Sequence, residues 1–154
     1  FTSNLPEFMQ QLEKELNSLS RTSYLKVKTP VVRLNGFTDI DWTLPKYHIN
    51  GDTIFNTYQE IYFYDYTKVF DRVIDNISRQ QTFPNYHLTF SHSGYNLKDC
   101  AILHLAYNIN IAVIDLPENR HSFRAADNNP IDMDLHDFRF LDKPGHIGYL
   151  SFKK

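Results

Sequence analysis

The chain has 154 residues and a formal net charge of −2 with His counted as neutral. This length suits one domain with a sizeable core, and the charge excludes a strongly basic footprint for nucleic acid or a polybasic membrane patch. The single cysteine, Cys100, excludes an intrachain disulfide and any zinc or iron–sulfur site built from several thiolates. Since the sequence has neither an apolar run of about 18 residues nor a signal-peptide pattern at its start, we expect no membrane span and a cytoplasmic location.

Helical and strand patterns alternate along the chain. Phe8, Leu12 and Leu16 recur at helical spacing and predict an amphipathic covering helix over about residues 5–20. Short runs rich in β-branched and aromatic residues predict strands between further helices. The predicted order after the first helix is strand 31–36, helix 52–59, strand 61–68, helix 69–77, strand 86–91, helix 96–106, strand 109–115, loop 117–130 and strand 146–152.

This alternation predicts an α/β fold over residues 1–154 as a single domain. One strand and one helix repeat about every 25 to 30 residues, which is the length of a βαβ unit, so the first four strands should run parallel. We expect a mainly parallel sheet with covering helices. An open sheet and a partial barrel of the TIM type both fit the pattern.

Polar residues follow each of the first four strands. The second strand shows this most clearly, because Ile61-Tyr62-Phe63-Tyr64 leads into an acid, a hydroxyl and an ammonium at Asp65, Thr67 and Lys68. Parallel strands bring their carboxyl ends to one edge, where α/β proteins usually bind ligands. We therefore predict a site at this rim. Its candidate ligand-binding residues are Asn35, Asp39, Thr67, Lys68, Ser91, His92, Asp115 and Arg139.

Two kinds of chemistry fit this rim. His87-Leu88-Thr89 has the His-x-Thr form that two-histidine phosphoesterases use in duplicate, although a second copy is missing here. His87 and Asp65 are the candidate catalytic residues on this interpretation. The alternative for His87 and Thr89 is a core histidine with a hydroxyl partner on the same strand face.

A metal site is the other chemical candidate. Carboxylate and imidazole groups on separate loops could hold Mg²⁺ or Mn²⁺, but no local spacing fixes such a site. Acids at strand ends also cap helices or pair with cations such as Arg33, Lys68 and Arg139. The potential metal ligands are Asp39, Asp65, His92, Asp115 and Asp137.

Four stretches of the sequence resemble the gene product 88 family of mycobacteriophages, a group carried by phages and plasmids. The stretches are residues 32–42, 63–68, 85–91 and 136–142. The resemblance runs in the same order over most of the chain from Phe8 onward, and it implies a mobile-element origin and a parallel α/β core of barrel-like form. Longer relatives carry a Cys-rich segment upstream of the matched part, and we transfer no metal–sulfur chemistry from it.

Two functions remain open from the sequence. The first is a binding or inhibitory module of phage type that engages a nucleic acid, a nucleotide or a host protein through the rim. The second is a small metal- or His-dependent phosphoesterase or nuclease. The sequence favours the binding module, and it leaves the oligomeric state open.

Overall fold

The computed structural model describes residues 4–79, 82–126 and 129–152. Within these ranges the chain forms five α-helices and six strands. The helices are α1 (Leu5–Leu25), α2 (Ile54–Thr57), α3 (Phe70–Ser78), α4 (Leu97–Tyr107) and α5 (Pro117–Phe123). The strands are β1 (Val31–Arg33), β2 (Tyr62–Thr67), β3 (Tyr86–Ser91), β4 (Ile111–Ile114), β5 (Ile131–Asp132) and β6 (Ile147–Leu150).

The described strands form one open, all-parallel sheet in the order β1-β2-β3-β4-β6-β5. The α/β fold with a mainly parallel sheet is therefore confirmed. β6 lies between β4 and β5 and runs parallel to both, which settles how the last strand joins the sheet. The sheet is open, with β1 and β5 as its edge strands, which is the open-sheet form of the prediction.

Local chemistry explains most of the element boundaries. Pro6 lies in the first turn of α1, where a missing N–H removes no helical hydrogen bond. The helix ends where the N–H of Lys28 donates to the carbonyl of Ser23 at 2.9 Å, with Val27 between them at a positive φ of 53°. This arrangement is a Schellman motif, in which the left-handed position usually holds glycine.

The chain falls into two compact units, Phe1–Phe63 with Arg79–Tyr86 and Tyr64–Ser78 with His87–Lys154. In the first unit, Phe55 stacks on Tyr86 at a centroid distance of 4.1 Å. The buried Asn85 amide donates to the carbonyls of Phe55, Tyr58 and Ile61, which fixes the entry into β2. The expectation that residues 1–154 behave as a single domain stays a prediction.

The core of the second unit lies between its sheet and helices. Phe90, Ile111 and Ile147 bring one sheet face against apolar side chains of the helices. Those helical side chains are Val73, Cys100, Leu103 and Phe123. In the described part of the chain, no helix combines the length and apolar character needed to cross a membrane.

Candidate functional site at the carboxyl ends of the strands

Asn35 organises the loop that follows β1. Its buried Oδ1 accepts hydrogen bonds from Thr38 Oγ1 at 2.9 Å, Ile40 N at 3.1 Å and Trp42 Nε1 at 3.1 Å. Its Nδ2 donates to the carbonyl of Ile40 at 2.9 Å. The hydrogen bonds of the Asn35 amide thus stabilise the conformation of the loop. Asp39, on the same loop, is exposed. Both residues belong to the first unit.

Asp65, Thr67 and Lys68 differ in exposure at the end of β2. Asp65 is fully buried and Thr67 nearly so, whereas Lys68 is exposed. Thr67 Oγ1 accepts from the backbone N–H of Val69 at 3.1 Å and from Arg72 Nη1 at 3.5 Å. Thr67 therefore ties the strand end to the start of α3.

The strand faces separate the two residues proposed as catalytic. Phe63 and Tyr86 both contact the ring of Phe55, at 5.3 and 4.1 Å, so they share one face of the sheet. Side chains alternate along a strand, so Asp65 lies on the face of Phe63. By the same rule, His87 lies on the face opposite to Tyr86. The structure therefore does not bring Asp65 and His87 together.

His87 lies in an aromatic environment. Its ring is 5.4 Å from that of Phe140, which is in turn 5.8 Å from that of Phe138. Burial lowers the pKa of His87 from its ordinary value, which favours the neutral imidazole. Thr89, two residues along the same strand, is buried.

A network of hydrogen bonds fixes the turn after β3. Asn96 Nδ2 donates to the carbonyl of Ser91 at 3.0 Å, and Asn96 Oδ1 accepts from the N–H of Ser93 at 2.8 Å. The half-buried His92 contacts the ring of Phe123 edge-on at 5.1 Å, and burial lowers its pKa. Ser91 and His92 thus lie at the base of an ordered turn.

Asp115, at the end of β4, forms an ion pair within its own unit. Arg120 Nε and Nη2 lie 2.5 and 2.9 Å from Oδ1 and Oδ2 of Asp115. These hydrogen bonds lower the pKa of Asp115, and the guanidinium also lies 4.4 Å from the ring centroid of Tyr149. The pair neutralises the charge of Asp115 and that of Arg120 at this part of the rim.

Arg139 lies in the segment that follows β5, and its side chain is buried. Its Nη2 donates to the carbonyls of Met133, at 3.3 Å, and His136. Its Nη1 lies 3.2 Å from Asp142 Oδ2, and both side chains are almost completely buried. Burial raises the pKa of Asp142 against the opposing effect of Arg139. The Arg139 guanidinium was a candidate for anion binding, but its contacts with Met133, His136 and Asp142 give it a structural part in its own segment.

The potential metal ligands do not form a cluster. Among the described residues, no group of three or more His, Cys, Asp or Glu side chains is arranged to hold a metal ion. Asp39 and Asp137 are exposed, Asp65 is buried and Asp115 is paired with Arg120. The described geometry gives no support to a Mg²⁺ or Mn²⁺ centre built from this set.

The sequence interpretation missed Tyr95 on the turn after β3. Its side chain is 98% exposed, although the turn that carries it is held by hydrogen bonds. Gly94 takes a positive φ of 88°, and the N–H of Tyr95 is 3.5 Å from Ser93 Oγ. An aromatic residue directly after a glycine at a strand end was the available signal.

The fold and these placements define an open, all-parallel α/β protein whose strand ends carry a polar rim. The family model for gene product 88 matches residues 1–153, and the chain belongs to this phage family. The resemblance noted in the sequence is therefore confirmed. No curated protein and no solved structure matches the chain.

Proposed function

We propose that the protein is a binding module that engages a host protein in the host cytoplasm through the carboxyl-end rim, with Tyr95 as its anchor. The observation that carries this proposal is an almost fully exposed tyrosine on a turn fixed by side-chain hydrogen bonds. Exposed aromatic residues on loops of a rigid scaffold are typical of binding surfaces.

The ordered turn makes Tyr95 suitable as an anchor. Asn96 holds the turn at both Ser91 and Ser93, so the backbone loses little further freedom when a partner binds. A tyrosine side chain offers a large contact area with few rotatable bonds, and its hydroxyl can form a hydrogen bond. The Tyr95 side chain can therefore supply a large part of the binding free energy.

The charges at the rim favour a protein over a nucleic acid. Nucleic-acid binding depends on several cations that contact phosphates. Arg120 is paired with Asp115, and Arg139 is buried with Asp142. These two arginines are therefore committed to carboxylates of the chain itself, whereas the exposed ring of Tyr95 suits an apolar pocket on a protein partner.

Site-specific photocrosslinking in host cells tests the proposal. The photoreactive residue p-benzoylphenylalanine replaces Tyr95 in one variant and Tyr24 in the control, because Tyr24 is also a strongly exposed tyrosine, at 84%, but lies on α1. We expect an adduct from position 95 that protease degrades and nuclease does not, and no such adduct from position 24.

Three results would overturn the proposal. They are a nuclease-sensitive adduct, an adduct that contains only further copies of the chain, and equal adducts from positions 95 and 24. A failure to form any adduct at position 95, while the variant remains folded by circular dichroism, would overturn it as well.

A further inference from the structure

Helix α4 is apolar on both of its faces. Cys100 and Leu103 are buried in the core of the second unit. The opposite side is exposed and is also apolar, whereas a surface helix normally has a polar outer face. We call this exposed side the α4 face. It consists of Lys98, Ala101, Ile102 and Leu105.

We propose that the α4 face binds the same face of a second copy of this chain, as an antiparallel helix pair around a twofold axis. A twofold interface requires a surface that is complementary to itself. The four residues are symmetric about the point between Ala101 and Ile102, so an antiparallel pair sets Ala101 against Ile102 of the second copy. The small alanine leaves room for the larger isoleucine.

Charge complementarity fixes the antiparallel direction. Lys98 is the only charged residue of the α4 face and lies in the first turn of the helix. The pairing sets Lys98 opposite Leu105 of the second copy, close to the carboxyl end of that helix. There the helix dipole is negative and favours a cation. A parallel pair would instead bring the two Lys98 ammonium groups together.

The carboxyl end of α4 offers backbone carbonyls as acceptors for the Lys98 ammonium of the second copy. Asn108 takes a positive φ of 57°, and its N–H donates to the carbonyl of His104 at 3.1 Å. The N–H of Ile109 donates to the carbonyl of Leu103 at 3.1 Å. The carbonyls of residues 105–107 lie beyond this capping motif, in the turn that Lys98 of the second copy would reach.

The α4 face is small compared with a standard protein interface, so the dimer should be weak and dependent on concentration. Sedimentation equilibrium measures its dissociation constant, with Leu105→Lys as the disrupting variant, because the new ammonium would face Lys98 of the second copy. Leu135→Lys is the matched control, because both leucines are 77% exposed. We expect Leu105→Lys to raise the dissociation constant by about a hundredfold, since the lost apolar contact and the repulsion both occur twice in a twofold dimer.

Leu135→Lys should leave the dissociation constant unchanged. A monomer at all concentrations up to roughly 1 mM would overturn the proposal. Equal effects of Leu105→Lys and Leu135→Lys would overturn it too, because the α4 face would then have no special part in association.

Disulfide crosslinking tests the register separately. A mixture of the Lys98→Cys and Leu105→Cys variants should form a disulfide-linked dimer, since these positions face each other. Lys98→Cys alone should not, because its two cysteines would lie about 10 Å apart along the helix axes, beyond disulfide reach. The native Cys100 is buried and contributes no background. Equally fast crosslinking of Lys98→Cys alone would contradict the antiparallel pair.

Discussion

Replacing Asn35 with alanine should destabilise the first unit strongly. Asn35 is only 2% exposed, and its side chain forms hydrogen bonds with Thr38, Ile40 and Trp42 in the loop after β1. The substitution removes the acceptor of the Trp42 indole N–H, which is itself buried. It also removes both bonds to the Ile40 backbone and the bond from Thr38.

The magnitude follows from these partners. A buried polar group that loses its partner costs about 1–3 kcal/mol, and the half-buried Ile40 groups cost less because water reaches them. We therefore expect the free energy of unfolding to fall by about 2–4 kcal/mol in Asn35→Ala, which is a large part of the roughly 5–15 kcal/mol of a typical domain.

Urea denaturation measures this loss, with fluorescence of Trp42 as the probe. Trp42 is the only tryptophan, so its emission reports the loop directly. Asn56→Ala is the control, because the Asn56 side chain donates an exposed hydrogen bond to Asp52. If Asn35→Ala were no less stable than Asn56→Ala and left the Trp42 emission unchanged, the account of this loop would be refuted.

Three further predictions concern strain, reactivity and pH. Val27→Gly should raise the free energy of unfolding by about 0.5–1 kcal/mol, because Val27 is strained at a left-handed position and 93% exposed; an unchanged or lower urea midpoint would contradict this. Burial raises the pKa of Cys100 to about 12, so Ellman's reagent at pH 8 should label the thiol only after denaturant is added, and rapid labelling of the folded protein would contradict its burial. Burial raises the pKa of Asp142 above its ordinary 3.8, so the folded chain holds this proton more tightly than the unfolded chain. Relative to Asp142→Asn, the stability of the native chain should therefore fall as pH rises from about 3.8 through the folded pKa, and parallel pH–stability curves for the two proteins would contradict it.

Elements with a strong local pattern were predictable from the sequence. The run Tyr86–Ser91 is a strand with the predicted bounds, and β2 differs from its prediction by one residue at each end. The sequence predicts a loop over residues 117–130, but Pro117 begins α5, because proline is well suited to the first turn of a helix. β5 has only two residues, Ile131–Asp132, so it has no alternation to detect.

The contacts and exposure of the rim residues could not be predicted, because strand patterns in a sequence do not contain this information. The acid Asp115 is at a strand end, as expected, but its partner Arg120 lies on the helix that was predicted as loop. Likewise, Asp65 and His87 lie in correctly predicted strands, but their faces depend on how the strands pair. The exposure of Tyr95 depends on the turn around it, which a single sequence does not show.

The most direct test of the binding account measures the affinity of the captured host protein for the purified chain. By isothermal titration calorimetry, we expect Tyr95→Ala to raise the dissociation constant about 30-fold or more, as for an interface hot spot. Tyr24→Ala, which removes an equally large exposed side chain from α1, should leave the constant unchanged. A change of less than about threefold for Tyr95→Ala, or equal changes for the two variants, would contradict the claim that the rim binds its partner through Tyr95.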